Sequence, residues 1–324
     1  MTGWRLPAGG AVDRAQPIAF EFDGRRFEGL AGDTVASALL AAGERVVGRS
    51  FKLHRPRGIV GLGWEDPGSL LQVLAPDAAP NVLATTLPLQ PGLRLRSVNT
   101  WPNARFDVAG ALDWLHPLLP AGFYYKTFMA PQRAWMFYEH WIRRAAGLGR
   151  LPETPGTVEV QRRFAHADVL VVGAGPAGTA AALALARSGR RLVWVDDGDA
   201  PGGALRARCA ATVALPAGAG DGPADPNDNA AVLAWMEAAT REIDACPNVR
   251  RLPRTLAQAR QDHGFVVCWE RRADGLERLW KLRVAQTVLA TGAVERPLVC
   301  ASSAQASASS SLPHTTRRRA AATP

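Results

Sequence analysis

Two kinds of apolar pattern divide this 324-residue chain. In the first hundred residues apolar and polar positions alternate with a period near two, as half-buried strands require. Ile18, Phe20 and Phe22 share one face, Asp23-Gly24 follows, and Arg25-Arg26-Phe27-Glu28 returns, which predicts a hairpin turned on Asp-Gly. Asp33-Thr34 caps a predicted helix over 35–42 that Gly43 closes, and short strands follow near 70–74, 82–84 and 93–98. Hairpin, helix and further strands come in the order of a β-grasp. From Val169 onward the apolar runs become continuous, as in strands buried on both faces. Val169-Leu170-Val171-Val172 is one, and Leu192-Val193-Trp194-Val195 is another, separated by a small-residue helix over 179–188 that Gly189 ends. Asn229 caps a predicted helix over 230–245, Asn248-Val249 leads into a short strand, and 265–270 with 279–284 form a hairpin. Thr287-Val288-Leu289-Ala290 is a last buried strand, ending in Thr291-Gly292.

The stretch between the first two buried strands carries the chemistry. It reads Gly173-Ala174-Gly175-Pro176-Ala177-Gly178. Gly173 permits a tight turn, Gly175 lets a pyrophosphate approach the backbone, and Gly178 lets helix and sheet pack closely. The helix start formed by Pro176, Ala177 and Gly178 offers free N–H groups to phosphates. Asp196 and Asp197 end the next strand, roughly 20 residues on, where a carboxylate accepts the hydroxyls of an adenosine ribose. Thr291 and Gly292 belong to a small-residue turn that passes near a cofactor in sheets of this kind; Gly203 enters only with the resemblance described below. No Gly-Lys-Ser/Thr follows, so a P-loop is excluded. An acid rather than an arginine at the strand end favours NAD or FAD over NADP.

Composition narrows the picture. The chain has room for two modest domains, and 47% hydrophobic residues suffice for their cores. No run is long enough for a membrane helix, and no signal peptide is evident at the start. The four cysteines, Cys209, Cys246, Cys268 and Cys300, are isolated, which argues against a disulfide framework or a zinc site and fits a reducing, cytoplasmic setting. A net charge of +9 raises a nucleic-acid partner, but the arginines are scattered rather than gathered on one element. A solvated surface or a docking face for an acidic protein is the better reading. The sequence divides into a loose arm (1–16), a β-grasp (17–100), an aromatic connector and linker (101–166), a nucleotide-binding domain (167–299) and a Ser/Ala-rich disordered tail (300–324). The connector reads as a buried packing element, with an interface anchor for another subunit as the rival. No catalytic constellation and no metal-ligand spacing is visible; His54 reads as a loop-packing or surface residue.

Several runs are specific enough to carry a resemblance. They are Arg49-Ser50-Phe51-Lys52-Leu53-His54-Arg55-Pro56-Arg57-Gly58-Ile59, Phe123-Tyr124-Tyr125-Lys126-Thr127-Phe128-Met129 and Ile142-Arg143-Arg144-Ala145-Ala146-Gly147-Leu148-Gly149. With the Gly173–Gly178 fingerprint, Asp196-Asp197, Gly202-Gly203 and the run from Leu289 to Pro297, the chain resembles the α subunit of heterotetrameric sarcosine oxidase over residues 18–299. The resemblance implies an α/β protein: a cluster-less ferredoxin-like β-grasp domain, then a Rossmann-like FAD/NAD(P)-binding domain, incomplete in this chain. It implies NAD as the cofactor, with Asp197 as the ribose ligand and Asp196 second, in a complex that oxidatively demethylates sarcosine. Its partners are the other subunits of that oxidase, chiefly the flavin-bearing β subunit, with no nucleic acid and no membrane. Plant-type ferredoxins carry their [2Fe–2S] cysteines in the loop near 50–63, and none occurs here, so no iron–sulfur cluster is expected. Beyond Pro297 the similarity stops, as a truncated or frame-shifted gene would give. Two other readings stay open: an FAD-dependent module of another amine or opine oxidase, and a non-catalytic interaction fragment.

Overall fold

The computed structural model describes residues 4–7, 10–111, 114, 132–145, 147–153, 156, 158–206, 226–272 and 275–293. The 300–324 tail, the Phe123–Met129 motif, Cys209, Cys300 and the run after Ala293 lie outside the described residues. The chain divides into two compact units, Met1–Thr157 and Val158–Pro324.

In the first unit β1 (Asp13–Phe22) and β2 (Arg25–Ala31) form the expected hairpin. Asp23 and Gly24 both have positive φ, 49° and 73°, as a two-residue turn matched to the strand twist requires. Helix α1 (Val35–Ala41) starts on a capping box: Thr34 accepts from the Ser37 N–H, and Ser37 reaches back to the Thr34 N–H. After the short pair β3 (Gly48–Arg49) and β4 (Pro56–Arg57) come β5 (Leu70–Ala75), β6 (Ala79–Leu83) and β7 (Arg94–Ser97). The five-stranded sheet runs β2-β1-β7-β5-β6, with β1 and β7 parallel, and α1 buries Val35, Ala38 and Leu39 in a core with Phe20, Phe22, Leu71 and Leu95. This is a β-grasp.

Three expectations for this unit need correcting. Strand β1 begins inside the stretch read as a loose arm, and the arm is tied down further back: the Trp4 N–H donates to the Ala41 carbonyl at 2.9 Å, and Arg5 pairs with the buried Asp33. The aromatic connector is not a buried element where it is described. Helix α2 (Trp135–Ala145) leaves Phe137 64% and Trp141 56% exposed, and Trp101, Phe106 and Trp114 are exposed too. An amphipathic pattern shows only that one face is apolar, not that anything in the same unit covers it. Residues 147–150, read as linker, are hydrogen-bonded to the sheet: the Asn99 N–H donates to the Gly147 carbonyl and the Arg150 N–H to Gln72 Oε1.

Polar contacts organise the loop between α1 and β5. His54 is buried, with Nδ1 2.8 Å from Asp107 Oδ2, and the Arg49 guanidinium donates to the carbonyls of His54 and Ala104. The Asp66 carboxylate accepts four backbone N–H groups, from Val60, Gly61, Gly68 and Ser69, all at 2.7–2.8 Å. Burial alone would raise its pKa, but the hydrogen bonds together outweigh burial and hold it below the ordinary 3.8. Asp66→Ala should therefore destabilise this unit by at least about 3 kcal/mol in urea unfolding, because buried donors lose a charged acceptor. The depressed pKa fixes the sign of the pH dependence. The contribution of Asp66 is complete above the unfolded value of 3.8 and fades as pH falls through the lower folded value, so variant and parent should converge in strong acid.

The second unit is a six-stranded sheet in the order β10-β9-β8-β13-β12-β11. Strands β8 (Val160–Val172), β9 (Leu192–Val195), β10 (Val249–Leu252) and β13 (Glu277–Leu289) are parallel neighbours; β12 (Phe265–Arg271) and β11 (Thr255–Arg260) extend them antiparallel. Helices α3 (Pro176–Arg187) and α4 (Pro226–Asp244) supply crossovers. Alternate residues of the buried strands serve two cores. Val169, Val171, Leu192 and Trp194 pack with Ala182, Ala186 and Ile243, while Leu170, Val193 and Val195 pack with Cys268, Trp280 and Leu282. The unit is Rossmann-like, which with the β-grasp gives the α/β class expected. Helix α4 starts at Pro226, a residue suited to a first helical position, so Asn229 lies within its first turn rather than capping it. Among the described residues no helix is long and apolar enough to cross a membrane.

Candidate dinucleotide-binding site

The end of β8 turns sharply at Gly173, where φ is +105°, a value that L side chains rarely adopt. A Cβ there would stand 2.2 Å from the Ala290 carbonyl oxygen, so the end of β13 lies directly against the turn. A Cβ on Gly178 would stand 1.9 Å from the Gly173 carbonyl oxygen and 3.3 Å from Ala290 Cβ, which makes a side chain at 178 incompatible with this packing. Gly175 is the opposite case, since a Cβ there meets nothing within 4 Å. Gly175 is also the N-cap of α3 and has no side chain to satisfy the first helical N–H groups. Pro176 occupies the first turn, where its missing N–H costs nothing, and Ala177 and Gly178 follow it. Backbone donors, open space and the positive end of a helix dipole thus coincide.

The structure gathers the other residues singled out in the sequence around this turn. Gly203 has φ +52°, and its missing Cβ would lie 3.3 Å from Gly175 Cα; beside it the Gly202 N–H donates to the Ala174 carbonyl at 2.8 Å. Thr291 N approaches the Gly173 position, and the Ala290 N–H donates to the Val172 carbonyl at 2.8 Å. Gly292 is left-handed at φ +75° with open space around it.

The two acids at the end of β9 have different roles. Asp196 turns inward and accepts the Ala174 N–H at 2.5 Å and the Gly198 N–H at 2.8 Å. Burial pushes its carboxyl above the ordinary 3.8, against those two bonds, and the charge of Asp197 adds to the rise. Asp197 is exposed. One participant carries no glycine-motif signal in the sequence: Trp194, fully buried in β9, donates its Nε1–H to the Gly173 carbonyl at 3.1 Å. An aromatic residue in a buried strand reads only as core until that contact is seen. Cys268 is buried, and burial pushes its thiol up to about 12, so it is no nucleophile.

Comparison with known proteins gives first a class. Residues 15–100 match the family described as 2Fe-2S iron-sulfur cluster binding domain, and residues 168–268 match the family described as FAD dependent oxidoreductase. The chain thus joins a ferredoxin-type β-grasp domain to an FAD-dependent oxidoreductase domain. It is also a relative of sarcosine oxidase alpha subunits: it is 43% identical over 310 residues to sarcosine oxidase subunit alpha of Rhizobium meliloti (strain 1021), and 33% identical over 316 residues to that of Corynebacterium sp. (strain P-1). Each alignment covers 92% of this chain, which spans 30% and 26% of the length of those relatives. Among solved structures, L-proline dehydrogenase from P. horikoshii is similar over 88% of this chain and 43% of its own, at 17% identity and a TM-score of 0.49. The span matched to the cluster-binding family contains no cysteine, so the thiolates that hold such a cluster are lacking there.

The division of labour between the acids has a direct test. Asp196→Ala removes a carboxylate from two backbone donors and should cost about 1.5–3 kcal/mol of stability. Asp197→Ala, at an exposed position, should stay within about 0.5 kcal/mol of the parent. Urea unfolding of the two variants side by side measures both.

Proposed function

We propose that this chain is the dinucleotide-binding portion of a flavin oxidoreductase subunit resembling sarcosine oxidase alpha, working with other subunits in the oxidative demethylation of sarcosine. The observation that carries the reading is the bare amide turn at the start of α3, with the exposed Asp197 at the end of the neighbouring strand. In this reading Gly175, Ala177 and Gly178 bind the pyrophosphate, Asp197 accepts the adenosine ribose hydroxyls, and Gly203, Thr291 and Gly292 line the approach. Asp196 holds the turn in shape. The bound nucleotide supplies the electron-accepting chemistry, while this chain binds and orients its adenosine half. No residue of this chain is assigned a catalytic role.

NAD is the nucleotide we assign, on the resemblance of the motifs to the α subunit family. FAD is the second reading, favoured by the match of residues 168–268 to FAD-dependent oxidoreductases. Both present the same adenosine half to the turn. The partners we assign are the other subunits of the oxidase, chiefly one bearing flavin. The exposed aromatic face of α2 and the exposed Leu289 at the end of β13 support a scaffolding role.

Calorimetric titration separates the two nucleotides: we expect saturable NAD binding, whereas retention of a yellow flavin through purification with no NAD uptake would favour FAD. In either case Asp197→Ala loses charge-assisted hydrogen bonds worth roughly 1.5–3 kcal/mol, an affinity drop of about 10- to 150-fold. Unchanged affinity would remove Asp197 from the site. We also propose that the β-grasp unit carries no cluster, because its loop offers no thiolate and its side chains are otherwise engaged, Asp66 with backbone amides, Arg49 with backbone carbonyls and His54 with Asp107. Reconstitution with iron and sulfide should leave neither bound in stoichiometric amount after desalting.

A further inference from the structure

The loop that carries Asp197 is joined to the turn between β10 and β11. The Arg254 N–H donates to the Gly198 carbonyl at 3.0 Å, and the Thr255 N–H to the Asp196 carbonyl at 2.7 Å. Arg254 adopts the left-handed region, φ +50°, within this junction. Its guanidinium is engaged twice: Nε donates to the Arg271 carbonyl at 3.0 Å, and Nη1 to Asp199 Oδ1 at 3.2 Å. Arg271 is itself partly buried and lies in the field of Glu277, Asp197 and Asp199. The loop after β9 therefore presents two carboxylates, Asp197 and Asp199, with the Arg254 guanidinium of the β10–β11 turn fastened to the second of them.

This arrangement bears on which adenosine the site accepts. A free 2′-hydroxyl needs an acceptor, which Asp197 supplies in the reading above; a 2′-phosphate needs an arginine and is repelled by carboxylates. We infer that Asp199 sets the specificity of this site for an unphosphorylated ribose, by occupying the Arg254 guanidinium and by adding a second negative charge. This inference rests on the proposed dinucleotide site. The Asp199 side chain is 78% exposed and that of Arg254 38%, so the pair is screened and contributes little to the fold. Its removal should therefore change ligand choice without unfolding the loop.

The test uses the full chain, titrated with ADP-ribose and with 2′-phospho-ADP-ribose, which differ only in the group at issue and leave open whether NAD or FAD is the native nucleotide. The parent should prefer ADP-ribose. In Asp199→Ala that preference should narrow by about 10-fold, most of the change coming from tighter binding of the phosphorylated ligand. Asp199→Glu should restore the parental ratio, and Asp199→Ala combined with Arg254→Met should lose the gain. A ratio unchanged in Asp199→Ala, with ADP-ribose still bound, overturns the role of Asp199 alone, as does a gain that survives removal of Arg254. A parent chain that binds neither ligand overturns the dinucleotide site itself, and the inference with it.

Discussion

The carbonyl of Gly173 is the contact on which the second unit is built. Trp194 reaches it from β9, Gly178 of α3 lies so close that no side chain fits between, and the end of β13 presses on the same residue through Ala290. The helix start and the end of β13 can both approach this closely only because positions 173 and 178 lack Cβ atoms. Close packing of the helix start on the sheet also fixes where its unsatisfied N–H groups point. The same steric constraint thus explains the fold of the turn and its capacity for an anion.

That convergence separates two carboxylates adjacent in sequence. In an extended strand end, neighbouring side chains leave on opposite sides. Asp196 goes inward, where burial disfavours its charge and backbone donors favour it, and it binds β9 to the glycine turn. Asp197 goes outward and is exposed to solvent. Junction contacts through Gly198, Arg254 and Thr255 then hold the outward loop against the turn between β10 and β11. The candidate site is closely packed at the glycine turn and charge-patterned at the loop after β9.

Much of this was legible in the sequence, because the responsible signals are local. The Asp23-Gly24 turn, the Thr34 cap and the Gly173–Gly178 spacing each impose a conformation on a few neighbouring residues. What was missed is non-local. The first half of β8, with Arg162, Arg163 and His166, has no apolar pattern and is a strand because residues 277–284 of β13 pair with it. For the same reason β13 reads as two strands broken at Ala285 and Gln286, both exposed, although the ladder to β8 resumes at Gln286 and continues to Leu289. Strand β11 is rich in alanine, a weak strand former, and exists as the partner of β12. The aromatic stretch misled in a different way: hydrophobic content predicts a need for burial but not which surface meets it.

In the first unit the β-grasp persists although its loop has no cysteine, held instead by Asp66 on four amides and by His54 on Asp107. The β-grasp of this chain is thus organised by polar contacts rather than by thiolates, whereas in the second unit the fold of the turn and the candidate site are one object. The most direct measurement of that claim is amide NMR of the labelled chain during titration with ADP-ribose. The account predicts the largest shifts at the N–H groups of Gly175, Ala177, Gly178 and Asp197, saturating together, with the β-grasp amides unmoved. Shifts confined to other residues, or none at saturating ligand, would contradict it.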